Sequence, residues 1–546
     1  MRSSQIAGAV RAVFANPRLR RLELAFAGFN AAEWGVWIAM LVYAYRHGGS
    51  LAAGLVALAQ LAPSALFAPF AATLADRYPP ARVLALGYAA QASAMGATAL
   101  ALSVSAPPAL AYALAAVAAT AVTITRPTQA VIVPSLVRGL NELTAVNVVS
   151  GWIESVSLFI APVVTGALLA LSGPAAVFWV MAGAAAVATV LAAGVRGPAP
   201  AAATTDTALT RAATVIREVG RDPAARLLVS LLGAQFVVLG ALDVLFVVLA
   251  IRVLGLGGGG AGYLNAAFGA GGVLGILVTI RLVGRARLGP PLTSAALVSA
   301  VALLLLGLWP TVLGALVLFA LAGAARTLLD IAIRTLLQRT VSSEVLARVF
   351  GLLETLDSVG LAIGSLLAPA LVAVLGARHA IAGLAAVFPA LLLLTARQLR
   401  NIDARADVPV VEVALLRSLP IFAALGAPAL EGLARASRAL EIPAGRYLIR
   451  EGQFGDSYYA IVDGTLEVSR RSVPVATVGR GEGVGEVALL AGVPRTATVT
   501  AKTPAQLLAI DSESFIEVIT QHPASARIAG DLVRERQPPP VQPASA

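Results

Sequence analysis

The sequence predicts an α-helical membrane protein, twelve transmembrane helices in two six-helix repeats, followed by a C-terminal β jelly-roll domain with flanking helices. Three observations carry this. The 546-residue chain is 58% hydrophobic and only 13% charged, where an ordinary globular domain carries about 25% charged residues. Up to residue 397 the apolar residues gather into runs of about 20, the length of one bilayer crossing. Beyond 397 the runs shorten to strand length and glycines punctuate them.

Composition closes off several classes. The net charge of +11 would suit a nucleic-acid partner, but the arginines cluster at the ends of apolar segments, so no nucleic acid is expected. Lys502 is the only lysine, and cysteine is absent. There is then no disulfide framework, thiolate metal site or cysteine nucleophile, and no metal site is expected. The basic, weakly amphipathic start "MRSSQIAGAVRAVFANPRLRR" leads into a run too long for a cleavable signal core.

The crossings are expected at 22–46, 51–75, 81–105, 108–134, 145–171, 174–195, 224–252, 259–283, 291–310, 311–338, 345–375 and 378–397. Turn signals separate them, among them "RHGGS", "SAPPA", "LSGP", "GLGGGG" and "GARHA". The longest interval halves the set. The domains are therefore 1–195, a first half; 196–223, a cytoplasmic linker; 224–397, a second half; 398–415, a connector; 416–536, the soluble domain; and 537–546, a disordered tail. With the N-terminus inside, the inner segments hold 18 arginines and the outer ones 3, Arg46, Arg252 and Arg378. The positive-inside rule then places both termini in the cytoplasm of a multi-pass cell-membrane protein.

The halves echo one another. "FAGFNAAEW" (26–34) aligns with "FVVLGALDV" (236–244), matching Glu33 with Asp243. "LVRGLNELTAVNV" (136–148) aligns with "LQRTVSSEVLARVF" (337–350), matching Glu142 with Glu344. Six plus six with internal echoes is the pattern of parallel transporter repeats. The loop "LADRYPPAR" is similar to the major facilitator loop signature at Asp76, Arg77 and Arg82, with Ala72 and a proline where the family has glycines. "TRPTQAVIVPSLV" resembles the family's Arg-x-x-Gln signature at Arg126 and Gln129. "SLFIAPVVTG" is a worn form of the exporter-branch Gly-Pro signature, keeping Pro162 and Gly166. Residues 1–397 thus resemble drug- and siderophore-exporter-type members of the major facilitator superfamily.

A charge at bilayer depth costs at least roughly 2.5–3.5 kcal/mol, so each needs a partner or a task. Glu33 and Asp243 sit in the first crossing of each repeat, which in this family lines the central cavity. Either could bind a proton or a cationic substrate, or be a carboxylate bonded to a neighbouring helix. Arg126 and Glu154 lie in sequence-adjacent crossings and are expected to pair. Arg326, Asp330 and Arg334 share one helix face of the tenth crossing at i, i+4 and i+8, and Glu354 and Asp357 lie in the eleventh. These groups form either a charge relay that switches partners or static pairs that let helices pack. The resemblance implies that Asp76 and Arg77 face the start of the eleventh crossing, near Arg348, as a cytoplasmic gate. Ser157, Ala161, Thr165 and Gly166 are small enough for close helix approach.

After 397 the sequence reads as a short helical pair, some eight strands, then two helices with Pro523 near the start of the second. Gly445, Gly452, Gly455 and Gly464 are each placed at a tight turn where positive φ is cheap. "GEVALLAGVPRTATV" (485–499) sets a Gly-Glu pair and a short apolar turn before an arginine. Its residues Gly485, Glu486, Val487 and Ala488 offer backbone N–H groups to an anion. Arg495 adds a forked cationic donor, Thr496 and Ala497 follow it, and Glu486 can accept from a sugar hydroxyl. The stretch closely resembles the phosphate-binding cassette of cyclic nucleotide-binding domains, over about 416–536. The resemblance implies a base capped by the last helix, with Ile528, Leu532 and Val533 as candidates.

The combined expectation is a non-enzymatic secondary transporter, of the small-molecule efflux kind, regulated by a cytosolic cyclic nucleotide. cAMP is placed ahead of cGMP, no covalent cofactor is implied, and protons are a candidate coupling ion in the lipid bilayer. The alternatives are a membrane-bound cyclic nucleotide receptor without transport, and a C-terminal domain serving only assembly or stability.

Overall fold

The computed structural model describes residues 11, 13–137, 140–195, 219–279, 287–340, 343–405 and 410–536. It divides into two compact units, one from 1–282 and 287–406, the other chiefly from 407–546.

Among its described residues the first unit forms helices and the turns between them. Asn16 caps α1 (Pro17–Arg77) by accepting from the Arg18 N–H at 3.1 Å, and a proline fills the first helical position. Its 61 residues would run about 90 Å, well beyond one bilayer core of about 30 Å. It breaks at Gly48 and Gly49, the latter at φ 65. Prolines also open α2 (Pro80–Ser103) and α3 (Pro108–Val122), which continues after a two-residue break as α4 (Thr125–Leu136). The first half closes with α5 (Leu140–Leu171) and α6 (Gly173–Ala193). The second half begins with α7 (Pro223–Val248), capped by Asp222 through the Ala224 and Ala225 N–H groups. It goes on through α8 (Gly257–Thr279), α9 (Gly289–Leu308), α10 (Val312–Thr340), α11 (Ser343–Ala385) and α12 (Val387–Arg405). Among the described residues ten helical stretches are long and apolar enough to cross a membrane. Two of them, of 51 and 49 residues, contain the breaks at Gly49 and at Gly376 (φ 80). Divided there, the ten offer twelve crossing-length segments.

Pairings in the two halves correspond. α1 packs on α5 as α7 packs on α11, and α2 packs on α3 as α9 packs on α10. The halves meet along two seams. In one, the part of α1 beyond Gly49 lies on α11: a Cβ added to Gly54 would stand 2.4 Å from the Ser365 carbonyl oxygen. In the other, α5 lies on α8, where Gly166, Gly259 and Gly262 bring backbone against backbone. The run "GLGGGG" marks a break as expected: the preceding helical stretch ends at Val253, and Gly255 and Gly257 both take φ 66. α8 starts at Gly257, because the following glycines are needed for this close approach. "GARHA" likewise marks the break between two crossing-length segments, at Gly376.

The second unit opens with α13 (Val410–Ser418) and α14 (Ala427–Ala436). Val413 and Leu416 are buried in its core, so this helix packs as part of the domain. Eight strands follow: β1 (Arg438–Ile442), β2 (Tyr447–Ile449), β3 (Ser457–Asp463), β4 (Leu466–Arg470), β5 (Val473–Val478), β6 (Gly483–Val484), β7 (Thr498–Ala501) and β8 (Ala505–Asp511). They form two antiparallel four-stranded sheets, ordered β1-β8-β3-β6 and β2-β7-β4-β5, a jelly roll. Ile449, Ile461, Leu466, Val499 and Leu507 fill the space between the sheets. Outside it, Tyr458 stacks on Phe515 at 4.8 Å and Phe422 meets both edge-on at 5.5 and 5.9 Å, which holds the helices on. The six-residue helix α15 (Glu486–Ala491) interrupts the strands, and α16 (Ser512–Gln521) and α17 (Pro523–Arg536) close the domain.

Candidate functional site

The membrane unit brings together residues far apart in sequence. Arg126, in the first turn of α4, donates to Glu154 on α5 at 2.7 Å and to Glu33 on α1 at 3.0 Å. The expected Arg126–Glu154 pair is present, and Glu33 joins it. All three side chains are about a third to a half exposed. A charged group so open would be costly against lipid, and here each charge has a partner of opposite sign. Asp243 does not mirror Glu33 in its contacts. It is buried and accepts from the Trp37 indole N–H at 3.1 Å, so a hydrogen bond from α1 to α7 joins the two halves. Arg334 donates to Asp330 at 2.8 Å along one face of α10. Asp76 and Arg77 lie at the end of α1 and Arg348 on α11, but their side chains, like that of Glu354, lie outside the described residues.

The sequence reading passed over Glu23. It is fully buried in α1, and the Ser150 hydroxyl of α5 donates to its carboxylate at 2.9 Å. The signal was a carboxylate inside an apolar run, disguised by Arg20 and Arg21 beside it as an interfacial residue.

In the second unit the residues of the cassette lie together. Gly485 stands at φ 102 and opens α15, with Glu486, Val487 and Ala488 buried behind it. Arg495 is 5% exposed. Its Nη1 donates to the Gly485 carbonyl at 2.9 Å and its Nη2 to the Ser457 carbonyl at 2.6 Å. Of its five N–H donors, these two lock the fork to strand β3 and to the cassette turn. Burial lowers the Arg495 pKa, and Tyr459, Asp456 and Glu486 oppose that shift. Backbone bonds also fix its position: its N–H donates to Gln453 at 2.8 Å and its carbonyl accepts from Gly452 at 2.8 Å. Thr496 and Ala497 follow, half-buried, with the Thr496 carbonyl accepting from Arg470.

Gly445, Gly452 and Gly464 take φ of 79, 83 and 91 as expected. Gly455 does not take a positive φ, which corrects the expectation. Its role is space, since an added Cβ would lie 1.9 Å from Arg495 Nε. Arg495 also walls a cavity of about 280 Å³ shared with Tyr447, Arg450, Phe454, Asp456 and Tyr459. Among the base-capping candidates, Leu532 packs on the same core cluster as Leu489 and Leu490 of the cassette segment, Ile528 is half-buried, and the Val533 side chain lies outside the described residues.

Comparison with known proteins matches two separate stretches of the chain. The Major Facilitator Superfamily model matches residues 23–314, more than half of the chain, and the cyclic nucleotide-binding domain model matches 439–522. A cyclic nucleotide-gated potassium channel of Rhizobium etli is 36% identical over 22% of this chain and 34% of its own length. A cAMP-dependent protein kinase regulatory subunit of Yarrowia lipolytica is 38% identical over 18% of this chain and 27% of its own. The chain thus spans about a third or less of the length of these curated relatives. The solved regulatory domain of Toxoplasma gondii PKA with cAMP aligns over 25% of this chain and 56% of that one, at 22% identity and a TM-score of 0.23. With its helical unit and its C-terminal jelly roll matched by these two separate models, the chain belongs to the Major Facilitator Superfamily and carries a cyclic nucleotide-binding domain at its C-terminal end.

Proposed function

We propose that the protein is a secondary transporter that exports a small molecule and is regulated by a cyclic nucleotide, cAMP ahead of cGMP, bound to its C-terminal domain. The observation that carries the reading is Arg495. A buried guanidinium, anchored by two backbone carbonyls beside a left-handed Gly485 and a buried Glu486, is a fixed cationic fork with donors in reserve for a phosphate. Relatives that match this domain are named for cyclic nucleotides, which supports the same ligand here.

In the membrane unit, Glu33, Arg126 and Glu154 form the polar cluster that handles cargo or a coupling proton. Asp243 and the Asp330–Arg334 pair are its counterparts in the second half. Asp76, Arg77 and Arg348 form the cytoplasmic gate. The arginine distribution supports cytoplasmic termini, which puts the nucleotide domain where intracellular messengers are. Nucleotide binding draws α17, with Ile528, Leu532 and Val533, over the base and biases the transporter between its inward- and outward-facing states. That bias is limited by the nucleotide's differential affinity for the two states, typically about 1–3 kcal/mol. No covalent step is involved.

The test is calorimetric titration of the purified full chain with cAMP and with cGMP, beside Arg495→Ala. Micromolar or tighter binding that the substitution removes supports the reading. A folded wild-type chain that gives no heat with either nucleotide refutes it.

A further inference from the structure

We propose that the last turn of α12 couples nucleotide occupancy to the transporter, through a hydrogen bond from Asp403 to the start of α9. This rests on the nucleotide reading above. α9 begins after Leu288, whose side chain cannot cap a helix, and no local side chain does so. The cap comes from 115 positions away in sequence. Asp403 Oδ1 accepts the Leu288 N–H at 2.7 Å, and the carboxylate, 8% exposed, sits on the positive end of α9. Gly289 makes this possible, since an added Cβ would lie 2.8 Å from Asp403 Oδ2. Leu399 and Ile402 of α12 are buried in one core cluster with Leu288 and Leu292 of α9. The end of α12 is therefore tied to the start of α9 by a buried acceptor and an apolar contact together.

Two placements make this tie a coupling element. Asp403 lies in the last turn of α12, directly before the segment 406–409 that leads into α13 and the nucleotide-binding domain. In this proposal, a displacement of that domain that is carried along the backbone enters the membrane unit at this turn. α9 in turn packs along α10, which carries the Asp330–Arg334 pair. The carboxylate either carries α9 with it or lets go, and in both cases the packing of α9 on α10 changes.

The test is amide hydrogen exchange of the purified full chain in detergent, with and without cAMP. Exchange is read over 288–292, at the Leu288, Gly289 and Leu292 amides since Pro290 and Pro291 have none, and over the cassette at 485–496 by mass spectrometry. In the wild type, cAMP protects the cassette and alters exchange at 288–292. Asp403→Ala speeds exchange at 288–292 about fivefold, as loss of a helix cap does, and the cAMP effect there disappears while cassette protection stays. Asp403→Asn keeps an acceptor and restores the cAMP effect. Gly289→Ala, which crowds the carboxylate without altering it, reproduces the alanine result and serves if Asp403→Ala does not fold. A cAMP effect at 288–292 that persists in both disrupting variants overturns the proposal. So does a wild type in which the cassette is protected and 288–292 is unmoved. A wild type with no cassette protection instead refutes nucleotide binding itself, and the coupling falls with it.

Discussion

Gly455→Ala separates a turn glycine from a space-making one. The added methyl would lie 1.9 Å from Arg495 Nε and 2.2 Å from Nη2, distances no real contact has. A long side chain on the surface would swing away at little cost. Arg495 cannot, because its backbone is held at both N–H and carbonyl by Gln453 and Gly452. Its fork is also committed to Gly485 and Ser457. The least disruptive movement gives up the 2.6 Å bond to Ser457. A hydrogen bond to a charged group is worth about 1.5–3 kcal/mol, so the domain loses stability of that order. The displaced fork also misses the phosphate, which weakens cAMP binding roughly 10–100-fold. Gly452→Ala is the control. Its φ is 83, and an added Cβ meets nothing within 4 Å. It costs about 1–2 kcal/mol for a left-handed backbone and leaves affinity nearly unchanged. Calorimetric titration with urea unfolding of both variants checks this. A Gly455→Ala protein that binds cAMP within threefold of wild type refutes the space argument.

Three further predictions follow from the same kind of geometry. Asp511 caps α16 by accepting the Ser514 N–H at 2.9 Å, and its pKa is lowered mainly by that backbone bond. Its stabilisation is present above the unfolded carboxyl pKa of about 3.9 and fades as pH falls through the lower folded value. Asp511→Ala should therefore cost about 1 kcal/mol at neutral pH and almost nothing in strong acid, as denaturation at the two pH values would read. Trp37→Phe removes the donor to Asp243 and should lower the stability of the membrane unit by about 1.5–3 kcal/mol while leaving cAMP affinity unchanged. Equal unfolding temperatures for variant and wild type would contradict it. Gly262→Val forces a Cβ within 2.5 Å of the Pro162 carbonyl oxygen and 2.6 Å of Gly166 Cα. It should destabilise the α5–α8 seam by about 1–3 kcal/mol or more. Gly183→Val on α6, where an added Cβ meets nothing within 4 Å, should be silent in the same thermal assay.

Local pattern alone determined a good deal of this protein. Apolar runs of bilayer length placed the crossings, and the shift to short glycine-punctuated runs placed the jelly roll. The order Gly485, Glu486, Arg495 marked the cassette by its resemblance to that of cyclic nucleotide-binding domains, while the fold holds the Arg495 fork from Ser457, 38 positions away. The Asp330–Arg334 pair was legible because helical spacing puts i and i+4 on one face. Tertiary structure decided the partners. Glu33 and Asp243 occupy matching places in the two echoes, yet one meets an arginine 93 positions away and the other an indole 206 positions away. Gly455 read as a turn residue because a sequence shows which positions lack a side chain, and only the fold shows what fills the space beside them. Asp403 gave no signal at all, as the helix it caps begins 115 residues earlier. Periodicity tells which face of a helix a residue occupies, and long-range packing alone chooses the atom that meets it there.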